Sequence, residues 1–565
     1  MLALVVCYPT VDRGVGFGMG PDVPVYLWWG RAAAELGVDA VPDRPGAAAL
    51  LPALGGTLGA GEVAVQAGLQ YGLVVVVGLA AAGLAVSGGA RRATWSLAGL
   101  LAGTFATFLA AGYVSNLAMT AAFLAALIAL SVGGRRGLAV SIGLLAAAGL
   151  THPQFLLVGL VILALGTSWS WVSGRRHEAG RQLAAMVGGG FLAAIGIALA
   201  RLGGPAIAAD TSKDALLRRS GLGSTLRQLY LDRFERNWER YSLWALLPLD
   251  AFAVAAGSSR GRRGDENVVH RLLTAWLAVT IAGVPIAAIG GWFPVDRVIT
   301  FAYCLPILAA FGAVRLAAVH RLRPLPQIVA VGAVIAIVWS VLGAWDEQRV
   351  FVRSDQLEQL VAAGRVASTT PPGTRLVFVV NDEDQPRRFG VTFTGNLARA
   401  AVPAARAPDV RVRLGSPTDL RPGAAVFVLP TLAPDEPAGS LHAWPGGVLS
   451  SVPDARSLPS GPLEIRASSP AGIVGATIGV VGLFAVIGFG WSRLTLGPAV
   501  AAWAAAPAFG VAALTVSAFV SDRIGIGLDG RLGPLVASGL AAAGGYVIAF
   551  GRGRPEVREG QPVSE

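Results

Sequence analysis

Cysteine is limited to Cys7 and Cys304 in 565 residues. Both lie in apolar stretches, which argues against a disulfide framework and against a thiolate metal site. Charge is scarce too, at 14% Asp, Glu, Lys and Arg, against roughly a quarter in soluble proteins. Lysine occurs only at Lys213, and the near-exclusive use of arginine fits a high-GC bacterial genome without bearing on chemistry. The first residues lack a basic region and a small-residue cleavage site, so no signal peptide is expected. The first apolar run, Leu2 to Val6, is too short to cross a bilayer, so either the true start lies upstream or the first helix is clipped.

What the chain has in abundance is apolar sequence. It is 54% hydrophobic with a mean hydropathy of +0.61, and apolar runs of about 20 residues recur along it. The expected fold is therefore mainly α: a polytopic transmembrane helical bundle of about 13–14 spans. Beyond the clipped segment 1–9, spans are expected near 62–87, 94–111, 114–132, 138–150, 153–172, 182–202, 241–257, 268–290, 297–318, 326–345, 470–491, 496–520 and 532–550. The shorter stretch 46–58 reads as re-entrant or interfacial.

The formal net charge of +11 comes from small arginine clusters beside apolar runs, so it marks loops and does not point to nucleic acid. Arg91 and Arg92, Arg135 and Arg136, Arg175 and Arg176, Arg260 to Arg263, Arg321 and Arg323, Arg493, Arg552 and Arg554 fall on alternate loops. The positive-inside rule makes that face cytoplasmic. The opposite face then carries 10–60, the 150–153 turn, 203–240, "GGWFPVDR" and the segment 346–469. This last stretch is richer in proline and charge. "RLVFVVN" (375–381), "VRVRL" (410–414) and "AAVFVL" (424–429) read as strands, and "SDQLEQLVAAGRVAS" and "FTGNLARAAV" as helices. The division expected is 1–345 as a transmembrane module, 346–469 as a small extracytoplasmic α/β domain, and 470–565 as the last three helices with a short cytoplasmic tail. No nucleotide-binding, zinc-protease or nucleophile-elbow motif occurs in 346–469.

Four places could carry chemistry. "GMGPDVPVYLWWG" (18–30) sets Asp22 before an interfacial helix rich in tyrosine and tryptophan. Asp22 is either an acidic loop residue beside an aromatic anchor or a general base for a hydroxyl nucleophile. "GLTHPQF" puts His152 before Pro153, a favoured first helical position. His152 is either a helix cap facing water or a ligand to phosphate, sugar or metal. "GGWFPVDRVITFAYCLP" sets Asp296 and Arg297 at a helix start, where they either cap it or bind phosphate. In "GLGSTLRQLYLDRFERNWERY", Leu222, Leu226, Tyr230, Phe234 and Trp238 recur every four residues. Arg227, Arg233, Arg236 and Arg240 lie beside this stripe, with Lys213, Arg218 and Arg219 before it. Such a basic amphipathic helix binds anionic headgroups or a specific lipid-linked phosphate.

Together these features resemble the GT-C superfamily of integral membrane glycosyltransferases, particularly its actinobacterial members. The resemblance rests on Asp22 in "GPDVPVYLWW", the interfacial helix after it, Asp296 and Arg297, the long basic loop, and "VFVVND…NLARAAVP…VRVRLGSPTDL". It covers most of the chain in architecture, through short motifs. It implies transfer of a sugar from a polyprenyl-phosphate donor to a cell-envelope glycan or protein acceptor on the outer face. Asp22 would then be the base, and Arg297 with the arginines of 218–240 (Arg218, Arg219, Arg227, Arg233) would hold the carrier phosphate. His152 and Asp296 would sit beside it. Many members pair two acids in the first loop, whereas Asp22 stands alone, so Asp12, Asp39 and Asp43 stay open as bases. No metal ligand set is expected, and metal dependence stays open. The partners expected are the donor, the acceptor and membrane lipid. The alternatives are a lipid-linked glycan transporter or flippase, and a non-catalytic polysaccharide-binding membrane protein. Coupled carriers bury charge in their helices; these spans read as nearly free of it, which favours surface chemistry.

Overall fold

The computed structural model describes Gly18, 23–110, 113–203, 246–261, 267–290, 300–320, 322–347, 468–496 and 499–551. Between 347 and 468 it also describes 364–365, 371, 373, 375–380, 389–414, 425–429, 442–444, 450–451 and 465. Helices dominate. They are α1 (Val23–Leu36), α2 (Pro45–Leu58), α3 (Glu62–Ser87), α4 (Arg92–Ala110), α5 (Val114–Val132), α6 (Gly134–Thr151), α7 (Pro153–Val172) and α8 (Arg176–Leu202). After them come α9 (Leu247–Gly261), α10 (Val268–Gly290), α11 (Cys304–Val319) and α12 (Leu325–Glu347). A helix lies at every expected span from 62 onward, and among the described residues seven helices are long and apolar enough to cross a membrane. The chain is a mainly helical, multi-pass membrane protein.

Surface exposure separates the centre of the bundle from its rim. α5 is 94% buried over its apolar span, whereas α8 is only 28% buried. Every fourth residue of α8, namely Leu183, Val187, Phe191, Ile195 and Leu199, is an exposed large hydrophobic. Water would penalise such a stripe, and bilayer lipid does not. α3, apolar but for Glu62, Gln66, Gln70 and Ser87 among its side chains, is buried on nearly every face. The final three helices are α14 (Pro470–Thr495), α15 (Ala499–Arg523) and α16 (Leu532–Phe550). Ser469 caps α14 by accepting from the Gly472 amide at 3.1 Å, with Pro470 at the first helical position. α14 meets α15 backbone to backbone: a Cβ on Gly488 would fall 1.8 Å from the Ala506 carbonyl oxygen, the close approach that small residues allow between membrane helices.

Polar contacts sort into two ends. At one, Asn267 donates to the Gly88 carbonyl at 2.7 Å, Ser131 to Ser87 at 2.9 Å, and Arg271 to Glu178 at 2.5 Å. Arg91, Arg92, Arg135, Arg136 and Arg176 are exposed at this arginine-rich end. At the other, Tyr26 bonds Ser115 at 3.0 Å, Thr57 bonds Ser538 at 2.8 Å, and Arg201 and Arg523 pair with Asp43 and Asp39. The structure thus brings together the helix ends that carry Arg91 and Arg92, Arg135 and Arg136, and Arg175 and Arg176.

Of the helix expected from 297, residues 297–299 lie outside the described residues; Thr300 is helical, 301–303 form a turn, and the described helix runs from Cys304 with Pro306 in its first turn. The 46–58 stretch lies in a buried 14-residue helix with Pro52 inside it, about 21 Å long and too short to span, in keeping with a non-spanning segment. Between α12 and α14 lies a five-stranded sheet of order β2-β1-β3-β4-β5. Its strands are β1 (Leu376–Val380), β2 (Val410–Leu414), β3 (Ala425–Leu429), β4 (His442–Trp444) and β5 (Ser450–Ser451). β1 runs parallel to both β2 and β3, and helix α13 (Phe389–Ala401) makes the β1–β2 crossover that parallel pairing requires. Most of the helix expected at 354–368 lies outside the described residues.

Topology is testable in a chain with Cys7 and Cys304 replaced by alanine. Single cysteines at the exposed positions Ser173 and Asp529 should label from opposite sides, Asp529→Cys from outside and Ser173→Cys only after permeabilisation. Labelling of both from one side would refute the two-ended arrangement.

Candidate functional site

The acidic end of the bundle is organised around α1. Its aromatic residues Tyr26, Trp28 and Trp29 are buried, so the expected interfacial helix is wedged between the transmembrane helices and α13 and does not lie free on lipid. Tyr26 stacks edge-on against Trp29 at 5.6 Å and reaches Ser115 at the head of α5. Arg44, also buried, donates to the same Ser115 hydroxyl at 3.1 Å and lies over the Trp29 ring at 5.4 Å. Arg31 clamps three elements: its guanidinium pairs with Glu62 on α3 and donates to the Ala400 carbonyl of α13. Glu35 accepts from the Ala404 amide at 3.0 Å, and Arg399 of α13 sits 6.0 Å from the Trp28 ring centre.

Beneath α1, α3 presents Gln66 and Gln70 one turn apart, both buried in an otherwise apolar helix. Gly18 rests on them: a Cβ there would fall 2.4 Å from the Gln66 side-chain oxygen and 2.8 Å from that of Gln70. A larger residue there would push the glutamine side-chain ends aside. Neither amide atom of Gln66 has a hydrogen-bond partner among the described residues, and the same holds for Asn116 Nδ2 and Trp28 Nε1. Buried polar groups are ordinarily satisfied, so this end holds unused hydrogen-bonding capacity.

Of the residues expected to act, Asp22, Arg218, Arg219, Arg227, Arg233, Asp296 and Arg297 lie outside the described residues, as does Asp12. The neighbours of Asp22 in the chain, Gly18 and Val23, are both buried at the Gln66–Gln70 face. His152 joins α6 to α7, as expected, but its ring neither caps the helix nor faces water. It is fully buried, edge-on to Phe155 at 4.5 Å. Phe155 in turn packs on Phe301 at 5.6 Å, four positions after Arg297 in the chain.

Asp39 and Asp43, the other candidate bases, both engage arginines. Asp39 pairs with Arg523, and Asp43 accepts from Arg201 at 2.9 Å. Both carboxylates tie the α1–α2 connection to neighbouring helix ends. Among the described residues no group of three or more His, Cys, Asp or Glu could hold a metal.

The expectation of spans nearly free of charge also needs correction. Glu178 and Arg271 form a pair with Arg271 fully buried, and Ser170 and Gln182 also donate to Glu178, each at 3.1 Å. Asp250, in the first turn of α9, is fully buried, and neither of its oxygens has a hydrogen-bond partner among the described residues. "LWALLPLDAFAVAAG" carried that signal, a lone acid in an apolar run. The Gln66 and Gln70 pair was equally visible in "EVAVQAGLQYGLVVVV".

Comparison of the chain with family models, curated proteins and solved structures finds no match.

The α1–α13 joint has a pH signature. Burial raises the Glu35 carboxyl above its ordinary 4.5, outweighing the Ala404 amide and the nearby Arg31 charge, while Glu62 adds to the rise. A carboxyl raised on folding binds more protons in the folded state, so stability falls as pH climbs from the ordinary value through the raised one. Glu35→Gln should flatten the pH dependence of the thermal midpoint across that window and leave the protein as stable or more so at pH 7. Arg31→Ala should cost about 2–3 kcal/mol, as expected for lost bonds to a charged group. It should also speed proteolysis within 389–414. Unchanged proteolysis would show that Arg31 does not hold α13.

Proposed function

We propose that this protein is a membrane glycosyltransferase of the GT-C type, acting where α1, α3 and α13 meet. The single observation that carries the reading is the buried Gln66 side chain beside Gly18, whose amide atoms have no hydrogen-bond partner among the described residues, with Asn116 Nδ2 and Trp28 Nε1 likewise unpartnered at the same end of the bundle. Amides and an indole in an apolar wall suit a hydroxyl-rich substrate, since each unmade bond becomes binding energy when a sugar supplies its partner.

In this reading the arginine-rich end is cytoplasmic and the sheet with α13 forms an extracytoplasmic α/β domain roofing the site. The acceptor hydroxyl attacks the anomeric carbon of a polyprenyl-phosphate sugar. Asp22 takes the hydroxyl proton as the new C–O bond forms. The bond from the anomeric carbon to the phosphate oxygen breaks, and the lipid phosphate leaves with the electron pair. Arg297 and the arginines Arg218, Arg219, Arg227 and Arg233 stabilise its growing charge. His152 and Asp296 orient the phosphate side of the site. The acceptor is a cell-envelope glycan or protein.

A second reading, a carrier for lipid-linked glycans, is favoured by one observation: Asp250. An unpaired acid buried in a membrane helix suits binding of a coupling proton or cation. Purified protein given a labelled polyprenyl-phosphate sugar separates the readings. Transfer is expected, with Asp22→Asn slowed about 10²–10⁴-fold while donor binding persists. Full transfer in Asp22→Asn would remove it as the base. Translocation in vesicles without transfer, abolished by Asp250→Asn, would establish the carrier instead. Neither activity, with polysaccharide binding retained, would leave a non-catalytic envelope protein.

A further inference from the structure

A second site lies away from α1. Four helices, α6, α14, α15 and α16, enclose a cleft of about 480 Å³. It falls within the range of small-molecule sites, about 300–1,000 Å³. Its walls are apolar: Val140 and Leu144 from α6, Phe509 and Ala513 from α15, and Leu540 from α16. Val520, Leu540 and Ile548 on its rim are exposed large hydrophobics, so the cleft opens sideways to where the lipid tails run.

One charge sits on it. Arg136, in the first turn of α6, lines the mouth at the arginine-rich end. It is exposed and has no ion-pair partner among the described residues. From Arg136 to Leu144 the wall runs eight residues along α6, about 12 Å of helix. A cation at headgroup depth over an apolar slot matches a lipid phosphate with one chain buried below it. The Trp491 indole closes the same mouth, its N–H bonded to the Ala541 carbonyl at 2.7 Å, so its ring offers an apolar flank without competing for the headgroup.

We propose that this cleft binds one acyl chain of an anionic glycerophospholipid from the leaflet at the arginine-rich end, with Arg136 on its phosphate. The site is independent of the α1 site and of any transfer reaction. It selects the headgroup by charge and the chain by shape.

Gly143 supplies a clean test. It lines the cleft, and a Cβ built there meets nothing within 4 Å, so Gly143→Leu fills the slot without a backbone clash. Full-length protein in detergent is titrated with phosphatidylglycerol and, separately, phosphatidylcholine, and bound lipid is read by native mass spectrometry. One phosphatidylglycerol should be retained at least tenfold more tightly than phosphatidylcholine. Arg136→Gln should erase that preference, Gly143→Leu should remove the bound lipid of either kind, and Arg135→Gln should change neither. Equal retention of the two lipids by the unmodified protein would overturn the proposal. So would a preference unaltered in Arg136→Gln, or a bound lipid that survives in a correctly folded Gly143→Leu protein. If polyprenyl phosphate displaces phosphatidylglycerol stoichiometrically at equal concentration, the occupant is the carrier and the proposal fails.

Discussion

Hydrocarbon cannot satisfy a hydrogen bond, and most of this structure follows from that one constraint. Every polar group must either reach an end of the bundle or find a partner inside it. The chain meets the requirement mostly by exclusion. α5 carries Ser115 and Asn116 in its first turn and Ser131 in its last turn, with Thr120 as the one polar side chain between. The two ends then solve different problems. Arg91, Arg92, Arg135 and Arg136 stand exposed at one, suited to anionic headgroups. At the other, Arg31, Arg201 and Arg523 are each matched to a carboxylate. Opposite charges in register make that end cohesive, a surface on which further structure can be built.

What is built there is the α1 wedge. An amphipathic helix with three large aromatics would ordinarily lie at the lipid interface. Here it is capped from above by α13 and the 404–409 turn, so its rings are buried on both sides. Arg31 alone reaches α3 and α13, and Glu35 reaches the turn after α13. Among the described residues, α1 is therefore a direct tie between the bundle and the sheet-bearing segment. A change in the seating of α13 would be felt at Trp28 and hence at the Gln66–Gln70 face.

How much of this could be read in the sequence depends on the range of the interaction. Helix limits at 62–87, 114–132, 153–172, 268–290 and 532–550 coincide with the apolar runs, because Gly61, Gly133, Pro153 and Arg531 punctuate them locally. Strands β1, β2 and β3 were equally legible from short β-branched runs, whereas β4 and β5, at three and two residues, left no pattern. Pairings were invisible. Asp39 and Arg523 are 484 positions apart, and no periodicity in either segment links them, so Asp39 read as a free acid in a loop. The water-facing cap read for His152 fell for a related reason: a Pro-preceding histidine at a helix start looks solvent-facing until Phe155 is known to pack on it.

Glu178, partly buried, and Asp250, fully buried, show why partner and burial must be read together. Glu178 receives Arg271, Ser170 and Gln182, and with its charge and lone pairs engaged it serves as a structural tie between α8, α7 and α10. Asp250 is buried as completely as Arg271 and has no hydrogen-bond partner among the described residues. The positive end of the α9 dipole, at whose first turn it sits, offsets part of the cost. It does not replace the three donors that Glu178 enjoys. Among the described residues Asp250 is thus the acid whose burial is least compensated, and an uncharged side chain in its place would cost the bundle less desolvation.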